Sequence, residues 1–132
     1  MVASRSPGAR IRRLSSAEIG SYDVVSADLA IRVKLMRMPF LLGPYQGMTV
    51  GRYVVLTRNV RPDGWSPLLA HELVHVTQWA ELGVVGFLAR YLWSFATGLW
   101  RHRSWQAAYR NIGLEQDARR GAEAWAQRRA NH

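Results

Sequence analysis

The chain has 132 residues and a formal net charge of +9; 48% of its residues are hydrophobic and 20% are charged. This composition excludes a disordered or fibrous protein and predicts one globular unit with a modest core. Because the chain has no cysteine, it cannot form a disulfide framework, a thiolate metal site or a cysteine nucleophile. Any metal ligands must therefore be His, Asp or Glu.

The positive charge is carried almost entirely by arginine and is spread along the whole chain. Such a surplus favours phosphate-rich or acidic partners without identifying one. The arginines are not gathered among aromatic residues, and no helix-turn-helix, zinc-finger or RNA-binding pattern occurs. Nucleic-acid binding is therefore not the favoured function.

We predict a flexible basic arm over residues 1–14 and a single domain over 15–132. The first residues include Arg5 and Arg10 but no apolar run of signal-peptide length follows them, so we expect no secretory signal and a cytoplasmic protein. No pattern indicates an oligomeric state.

The first half of the domain predicts a short β-sheet. A helical turn capped by Ser15 or Ser16 comes first. Residues 22–37 then favour one or two strands, although a helix remains open, because β-branched residues alternate there with helix-forming ones. A turn is expected over 40–47, a strand interrupted by Gly51 over 48–57, and a loop over 58–64.

The second half predicts three helices, which makes the fold class α+β. Ser66-Pro67 is typical of a helix start, and this helix is expected to run to about Glu81, before Gly83 ends it. A second helix is expected over 84–98. The third begins near Ser104 or near Leu114 and ends by about residue 130.

Residues 82–100 form an apolar stretch whose one charged residue is Arg90. A central arginine costs about 2.5–3.5 kcal/mol on membrane insertion, and three glycines weaken the helix further. We therefore expect a buried core helix, with an interfacial helix as the second choice and a membrane span as the last. Membrane association through this stretch is not favoured.

The sequence His-Glu-Leu-Val-His, residues 71–75, lies in the middle of the first long helix. At about 100° per residue, His71 and His75 lie about 40° apart and one turn along, which is the spacing of two zinc ligands. Glu72 is placed to accept a proton from a water molecule at the metal. An apolar stripe on the opposite side is expected to hold the helix against the core: Leu69, Leu73, Val76 and Ala80.

The alternative is that these are polar residues on a solvated face. Leu68, Trp79 and Leu82 flank the histidine face, however, so the helix is expected to be buried on most sides, where paired imidazoles need a partner such as a metal. The chance occurrence of the motif in a chain of this length is below about 1%. We therefore predict a zinc site.

A third ligand must come from downstream, and a carboxylate is required because no His occurs between His75 and His102, which excludes the metzincin spacing. Glu81 lies on the same helix and points away. In the last helix the apolar stripe is expected to consist of Leu114, Ala118, Ala122 and Trp125. Glu115 lies about 65° from the centre of that stripe and Asp117 about 95° away on the other side. Geometry favours Glu115, whose alternative role is an acid stabilising the helix dipole. Glu123 is the remaining candidate.

Three segments together resemble a known family. LLAHELVHVTQW, preceded by MTVGRYVVL and followed by AYRNIGLEQDAR, is similar to the zinc-peptidase domain associated with extracellular contractile injection systems, whose pattern is T-x-G…LLAHELxHVxQ…LExEAD. The resemblance covers roughly residues 44–125 and its motifs are fairly specific in combination. It implies a small gluzincin-like fold, His71, His75 and Glu115 as zinc ligands, Glu72 as general base, and peptide bonds as substrate.

The chain departs from that pattern at one position. Where the pattern has Ala-Asp, this chain has Ala118-Arg119, and the missing acid would orient a ligand histidine. Asp117 or Asp63 are alternative sources of such an acid. The departure supports a second hypothesis, a zinc-stabilised binding module with weak or no activity, while a DNA-associated protease rests on charge alone.

The donor that stabilises the oxyanion is expected to be Tyr109, six residues before Glu115, with Arg110 and His102 as alternatives. For each of these residues a packing or surface role is the competing interpretation. The strand over 48–57 is expected to pair with an extended peptide substrate through its edge.

Overall fold

The computed structural model describes residues 11–39, 41, 46–57 and 65–131. It confirms an α+β fold in which a four-stranded sheet precedes a long helix and two further helices. The elements in chain order are β1 (Ile11–Arg13), α1 (Ser16–Ser21), α2 (Ala27–Ala30), β2 (Lys34–Arg37), β3 (Gly47–Val50), β4 (Tyr53–Leu56), α3 (Pro67–His102), α4 (Trp105–Arg110) and α5 (Gly113–Ala130).

The strands are arranged in the order β1-β2-β4-β3, so β3 is an outer strand next to α3. β2 and β4 are parallel, with Leu35 opposite Val54, while β1 and β3 pair antiparallel with β2 and β4 respectively. Leu35, Val54 and Leu56 are buried, so one face of the sheet packs into the core beneath α3. This layer fixes the position of the helix that carries the motif.

Two predictions for the sheet region require correction. Residues 48–57 form a hairpin, not one interrupted strand, because Gly51 adopts a φ of 62° and reverses the chain. Residues 22–37 contain both alternatives, since Ser26 caps the short helix α2 and strand β2 follows it. The predicted turn over 40–47 and the loop over 58–64 lie largely outside the described residues.

The predicted arm over 1–14 is wrong for its last part, since residues 11–13 form strand β1 and pair with β2. The strand is also anchored by a side chain, since the Arg12 guanidinium donates to both carboxylate oxygens of the buried Glu18, at 2.7 and 2.9 Å. Glu18 also completes a capping box with Ser15 at the start of α1. Residues 1–10 lie outside the described part of the chain.

Helix α3 begins as predicted, with the Ser66 hydroxyl accepting a hydrogen bond from Leu69 N and Pro67 in the first turn. Gly83, with φ 73° and ψ 171°, is not helical, so α3 consists of two helices joined at a kink, as predicted. The second of these runs to His102 instead of ending near residue 98. Leu69, Leu73 and Val76 are buried as predicted. Ala80, predicted as part of the same stripe, is exposed, because the kink carries the chain away from the core just beyond it.

The two alternatives for the third predicted helix are both present, as α4 capped by Ser104 and α5 starting at Gly113. All four residues of the apolar stripe predicted for α5 are buried. Trp125, at its far end, stacks on Tyr22 with ring centroids 4.8 Å apart. Because the Tyr22 hydroxyl accepts a hydrogen bond from Ser66 N at 3.0 Å, one aromatic pair joins the end of α5 to the start of α3.

The prediction that residues 82–100 form a buried core helix is wrong. Phe87 is the one buried side chain of this wholly described segment, and Arg90 is exposed. α4 and α5 pack against one side of the segment and leave the other side uncovered. By length and composition alone, α3 is apolar enough to cross a membrane.

α3 and α5 approach each other closely at Gly121, where an added β-carbon would stand 2.9 Å from Val74 Cγ2. Gly121→Ala should lower the melting temperature by several degrees, since a clash with a stiff β-branched side chain costs about 1–3 kcal/mol and outweighs the gain in helix propensity. The measurement is thermal unfolding followed by circular dichroism.

Gly113→Ala is the matched control on the same helix, because no atom lies within 4 Å of its added β-carbon. It should leave the melting temperature unchanged or raise it slightly. Val74→Ala should restore most of the loss in the Gly121→Ala background. Equal melting temperatures for the two glycine variants would contradict the close packing.

Candidate metal centre

Two helices bring three ligand side chains together, as the sequence predicted. α3 presents His71 and His75 one turn apart, and the first turn of α5 presents Glu115. His71 Nε2 lies 3.1 Å and His75 Nε2 lies 3.2 Å from the same oxygen, Glu115 Oε1. The three candidate ligand atoms lie within 4.8 Å of one another, so these residues are close enough to bind one metal ion.

Gln78 determines which nitrogen of His75 faces the site. The Gln78 amide donates to the Leu114 carbonyl at 3.0 Å, so its oxygen is turned toward His75 Nδ1, 2.7 Å away. An amide oxygen only accepts hydrogen bonds, and Nδ1 must therefore carry the proton. In the neutral imidazole, Nε2 then presents its lone pair to His71 and Glu115.

This arrangement fits a cation. His75 Nε2 is buried and, among the described residues, has no hydrogen-bond partner, because the nearby Glu115 oxygen lies outside hydrogen-bond geometry. A buried lone pair facing a carboxylate is unfavourable unless a positive charge stands between them. Two imidazole nitrogens and a carboxylate oxygen form the ligand set of a metal site that keeps a fourth position open.

Glu115 is held by three hydroxyl or imidazole groups. Burial acts to raise its pKa, but the contacts with His71 and His75 and the hydrogen bond from Tyr91 outweigh burial and keep that pKa well below its ordinary value. The Tyr91 hydroxyl donates to Glu115 Oε2 at 2.8 Å, which leaves Oε1 directed at the histidines. Glu115 is thus ionised and oriented as a ligand.

Glu72 is buried beside the ligands without being one of them. Thr49 of β3 donates its hydroxyl to Glu72 Oε1 at 2.8 Å, and Gly47 leaves room for Oε2, since a β-carbon there would stand 2.8 Å from it. Burial raises the pKa of the Glu72 carboxyl, and the neighbouring histidines and Thr49 offset part of the rise. For His75, burial lowers the pKa, yet Glu115 and Glu72 outweigh it and the net direction is upward.

The other acidic candidates are not part of the three-ligand group. Asp117 is exposed and pairs with Arg120, and Glu81 is exposed. Glu123 is also exposed, although it borders the same cavity as His71. Arg119 donates to the carbonyl of Arg110 and lines a shallow cavity beside His71. Asp63 lies outside the described residues. The sequence pattern places an acid near position 119 to orient a ligand histidine. In this chain the Gln78 side chain holds His75 instead, by accepting a hydrogen bond from its Nδ1.

Among the three candidates for an oxyanion donor, Tyr109 is the one that lines the cavities bordering the site, together with Glu72. Arg110 and His102 are exposed at the ends of α4 and α3 and line neither cavity.

An apolar cavity of about 410 Å³ opens on the ligands. Glu72, His75 and Glu115 form its polar side, and the strand β3 borders it with Met48 and Thr49. Its other walls are aromatic or aliphatic: Trp79, Phe87, Leu88, Tyr91, Leu92, Phe95, Trp105 and Tyr109. The cavity can therefore accommodate a large apolar group next to the ligand cluster.

Sequence reasoning missed three residues of the site: Thr49, Gln78 and Tyr91. Gln78 follows His75 by three residues, so helical spacing places it beside that ring and was a usable signal. Thr49 reaches the site from the sheet and matches the Thr of the T-x-G pattern, which was a second usable signal. Tyr91 reaches it from the part of α3 beyond the kink, and no local pattern indicates that contact.

Comparison with protein-family profiles, with curated proteins and with solved structures returned no match for this chain. The site is accordingly interpreted from its own geometry and chemistry.

We expect one metal ion per chain, and His71→Ala, His75→Ala and Glu115→Ala should each remove most of it, because a three-ligand site loses its chelate geometry with any one ligand. Gln78→Ala should weaken metal affinity by roughly 10–100-fold through the free orientation of the His75 ring. Elemental analysis after dialysis and a competition titration measure these effects.

Asp117→Ala is the control, since its side chain lies on the exposed side of α5. Retention of the metal by Glu115→Ala together with its loss from Asp117→Ala would show that the ligand assignment is wrong.

Proposed function

We propose that this chain is a zinc-dependent metallopeptidase that hydrolyses peptide bonds, with His71, His75 and Glu115 as metal ligands and Glu72 as general base. The observation that carries the proposal is the placement of Glu72, a buried acid beside the ligand cluster that is held by Thr49 and borders an apolar cavity. A site that only stabilises the fold has no use for such an acid at its open side.

Zinc is the proposed metal because a set of two imidazoles and one carboxylate with an open position is typical of its catalytic sites. When bound, zinc would polarise the scissile carbonyl and acidify water. The resemblance of the motif region to the zinc-peptidase domain of contractile injection systems agrees with this choice and remains part of the proposal.

Glu72 accepts the proton of the attacking water and later delivers it to the leaving amine. The raised pKa of its carboxyl suits this role, because a general base works best with a pKa near the operating pH. The Thr49 hydroxyl fixes Oε1, and Gly47 leaves Oε2 room to face the cavity. Trp79 and Phe87, which stack at 4.0 Å, exclude bulk water from one wall.

Tyr109 is proposed as the donor to the oxygen that becomes negative in the transition state. It lines the cavity on the side of Glu72 and Glu115, and a phenol can donate without changing its charge. Tyr91, the other phenol near the ligands, donates to Glu115 instead and acts as a positioning residue.

The proposed substrate is an extended peptide segment with a large apolar side chain beside the cleaved bond. The apolar cavity takes that side chain, and β3, the outer strand of the sheet, offers its edge to the peptide backbone. The Thr49 carbonyl already accepts a hydrogen bond from Trp79. Pairing would therefore use Gly47, whose backbone groups face the same edge because edge-facing positions alternate along the strand.

The second candidate function is a zinc-stabilised binding module that recognises an apolar segment without cleaving it. Arg119 favours it, because this residue replaces the expected acid and its guanidinium is engaged with the Arg110 carbonyl. The support that Gln78 gives to His75 argues in favour of the peptidase.

Glu72→Gln separates the two functions. The variant should bind zinc normally, because Glu72 is not a ligand, and should lose hydrolysis of unstructured peptides by at least ~10²-fold, because an amide cannot accept a proton. The assay is mass spectrometry of a broad peptide library incubated with the zinc-loaded protein. Glu81→Gln, the same change at an exposed position of the same helix, is the matched control and should retain activity.

Tyr109→Phe, tested in the same assay, should keep its zinc and lower kcat more than KM, by roughly 10–10³-fold. Identical and zinc-independent product patterns for wild type and Glu72→Gln would overturn the enzymatic proposal and leave the binding module as the better interpretation.

A further inference from the structure

The side of α3 that faces away from the rest of the protein is wholly apolar between residues 85 and 100. At 3.6 residues per turn, eight residues fall within an arc of about 140°, and none of them is charged. One of the eight, Leu99, is half-buried. The other seven, here called the outer face, are Val85, Leu88, Ala89, Leu92, Trp93, Ala96 and Trp100.

Every residue of the outer face is exposed. Val85 is 81% exposed, Trp93 72% and Trp100 77%, and Trp105 at the start of α4 is exposed beside them. Helices of globular proteins normally present polar residues to water and apolar residues to the core. A contiguous apolar surface of this kind marks a binding surface.

The charges around the outer face are of one sign. Residues 82–114 contain four arginines and no Asp or Glu. Arg90 and Arg101 lie along one edge of the outer face, about 60–80° beyond Trp93 in helical projection, and both are exposed. Arg103 follows directly at the exposed end of the helix.

We propose that the outer face of α3 docks onto an anionic lipid bilayer, with the helix lying in the plane of the headgroup layer. Apolar residues on one side with arginines along the rim are the pattern of interfacial helices, whose binding combines apolar burial with attraction to acidic headgroups. Tryptophans suit this depth, because their rings are amphipathic and concentrate at the boundary between headgroups and hydrocarbon.

The charge distribution selects this occupant over a second copy of the chain. Two outer faces placed together would offer the arginines at the rim no acid from 82–114 to pair with, whereas acidic headgroups would neutralise them. Docking in the membrane plane also suits Arg90 better than a span does, because the arginine stays at the headgroup level.

Docking would place the cavity next to the lipid surface, because Leu88 and Leu92 belong to both the outer face and the cavity wall. A peptide emerging from the bilayer would then lie within reach of the site. This last consequence rests on the proposed peptidase function, whereas docking itself does not.

Co-sedimentation of the zinc-loaded full chain with vesicles tests the proposal, using mixed phosphatidylcholine and phosphatidylglycerol against phosphatidylcholine alone. The protein should bind the mixed vesicles at least ~10-fold more tightly, and added salt should weaken the binding. Val85→Asp with Trp93→Asp should reduce binding by ~10-fold or more. Neither residue lines the cavity, so zinc content and the melting curve should be unchanged.

Ile31→Asp with Val50→Asp is the matched control, since both residues are apolar and exposed, at 51% and 53%, and the charge change is identical. It should retain most of the binding. Likewise, Arg90→Gln with Arg101→Gln should weaken binding to mixed vesicles by roughly tenfold or more, whereas Arg32→Gln with Arg37→Gln, at exposed sites elsewhere, should have a smaller effect.

Absence of vesicle binding by the wild type, or equal losses in the two aspartate pairs, would overturn the proposal. A dimer that Val85→Asp with Trp93→Asp dissociates, without vesicle binding, would assign the outer face to a second copy. Resistance of the bound protein to carbonate extraction would show insertion across the bilayer and contradict docking. None of these measurements depends on hydrolysis. A negative result for membrane docking can therefore be distinguished from a negative result for the proposed peptidase function.

Discussion

Two imidazole nitrogens converge on one oxygen of Glu115, and that contact requires the two helices that carry them to pack closely. His71 and His75 are neighbours by helical spacing alone, but Glu115 reaches them only if α5 packs closely against α3. Gly121 permits that approach. The Trp125–Tyr22 stack fixes the far end of α5. The packing of the core therefore determines the geometry of the site.

The polar groups around the ligands are oriented by contacts within the protein. Gln78 is held by a backbone carbonyl of α5 and in turn sets the tautomer of His75, while Tyr91 and Thr49 each hold one carboxylate. Such preorganisation lowers the free energy needed to order the site on metal binding. The same contacts give the two acids different properties. Glu115 faces the histidines and is kept ionised, whereas burial raises the pKa of the Glu72 carboxyl.

Local periodicity was enough to predict the parts of the fold that bear on the ligands. The i, i+4 spacing of the histidines and the apolar stripe of α5 placed Glu115 at the correct edge, and Ser66-Pro67 located the start of α3. Contacts that depend on tertiary packing were not accessible in this way: the pairing of residues 11–13 with β2 and the Arg12–Glu18 contact that anchors it, and the hydrogen bond from Tyr91 to Glu115. The prediction of a buried helix over residues 82–100 failed for a different reason. Hydropathy alone does not distinguish a helix that faces a core from one that faces lipid.

We propose that one zinc ion is bound by two imidazoles and a carboxylate with a further position open. Zinc K-edge X-ray absorption of the protein loaded with one equivalent of zinc tests this ligand set most directly. About four nitrogen or oxygen neighbours at ~2.0–2.1 Å are expected, with the multiple scattering of two imidazole rings. A shell of six oxygens without imidazole scattering, or one with three or four imidazoles, would show that the proposed ligand set is wrong.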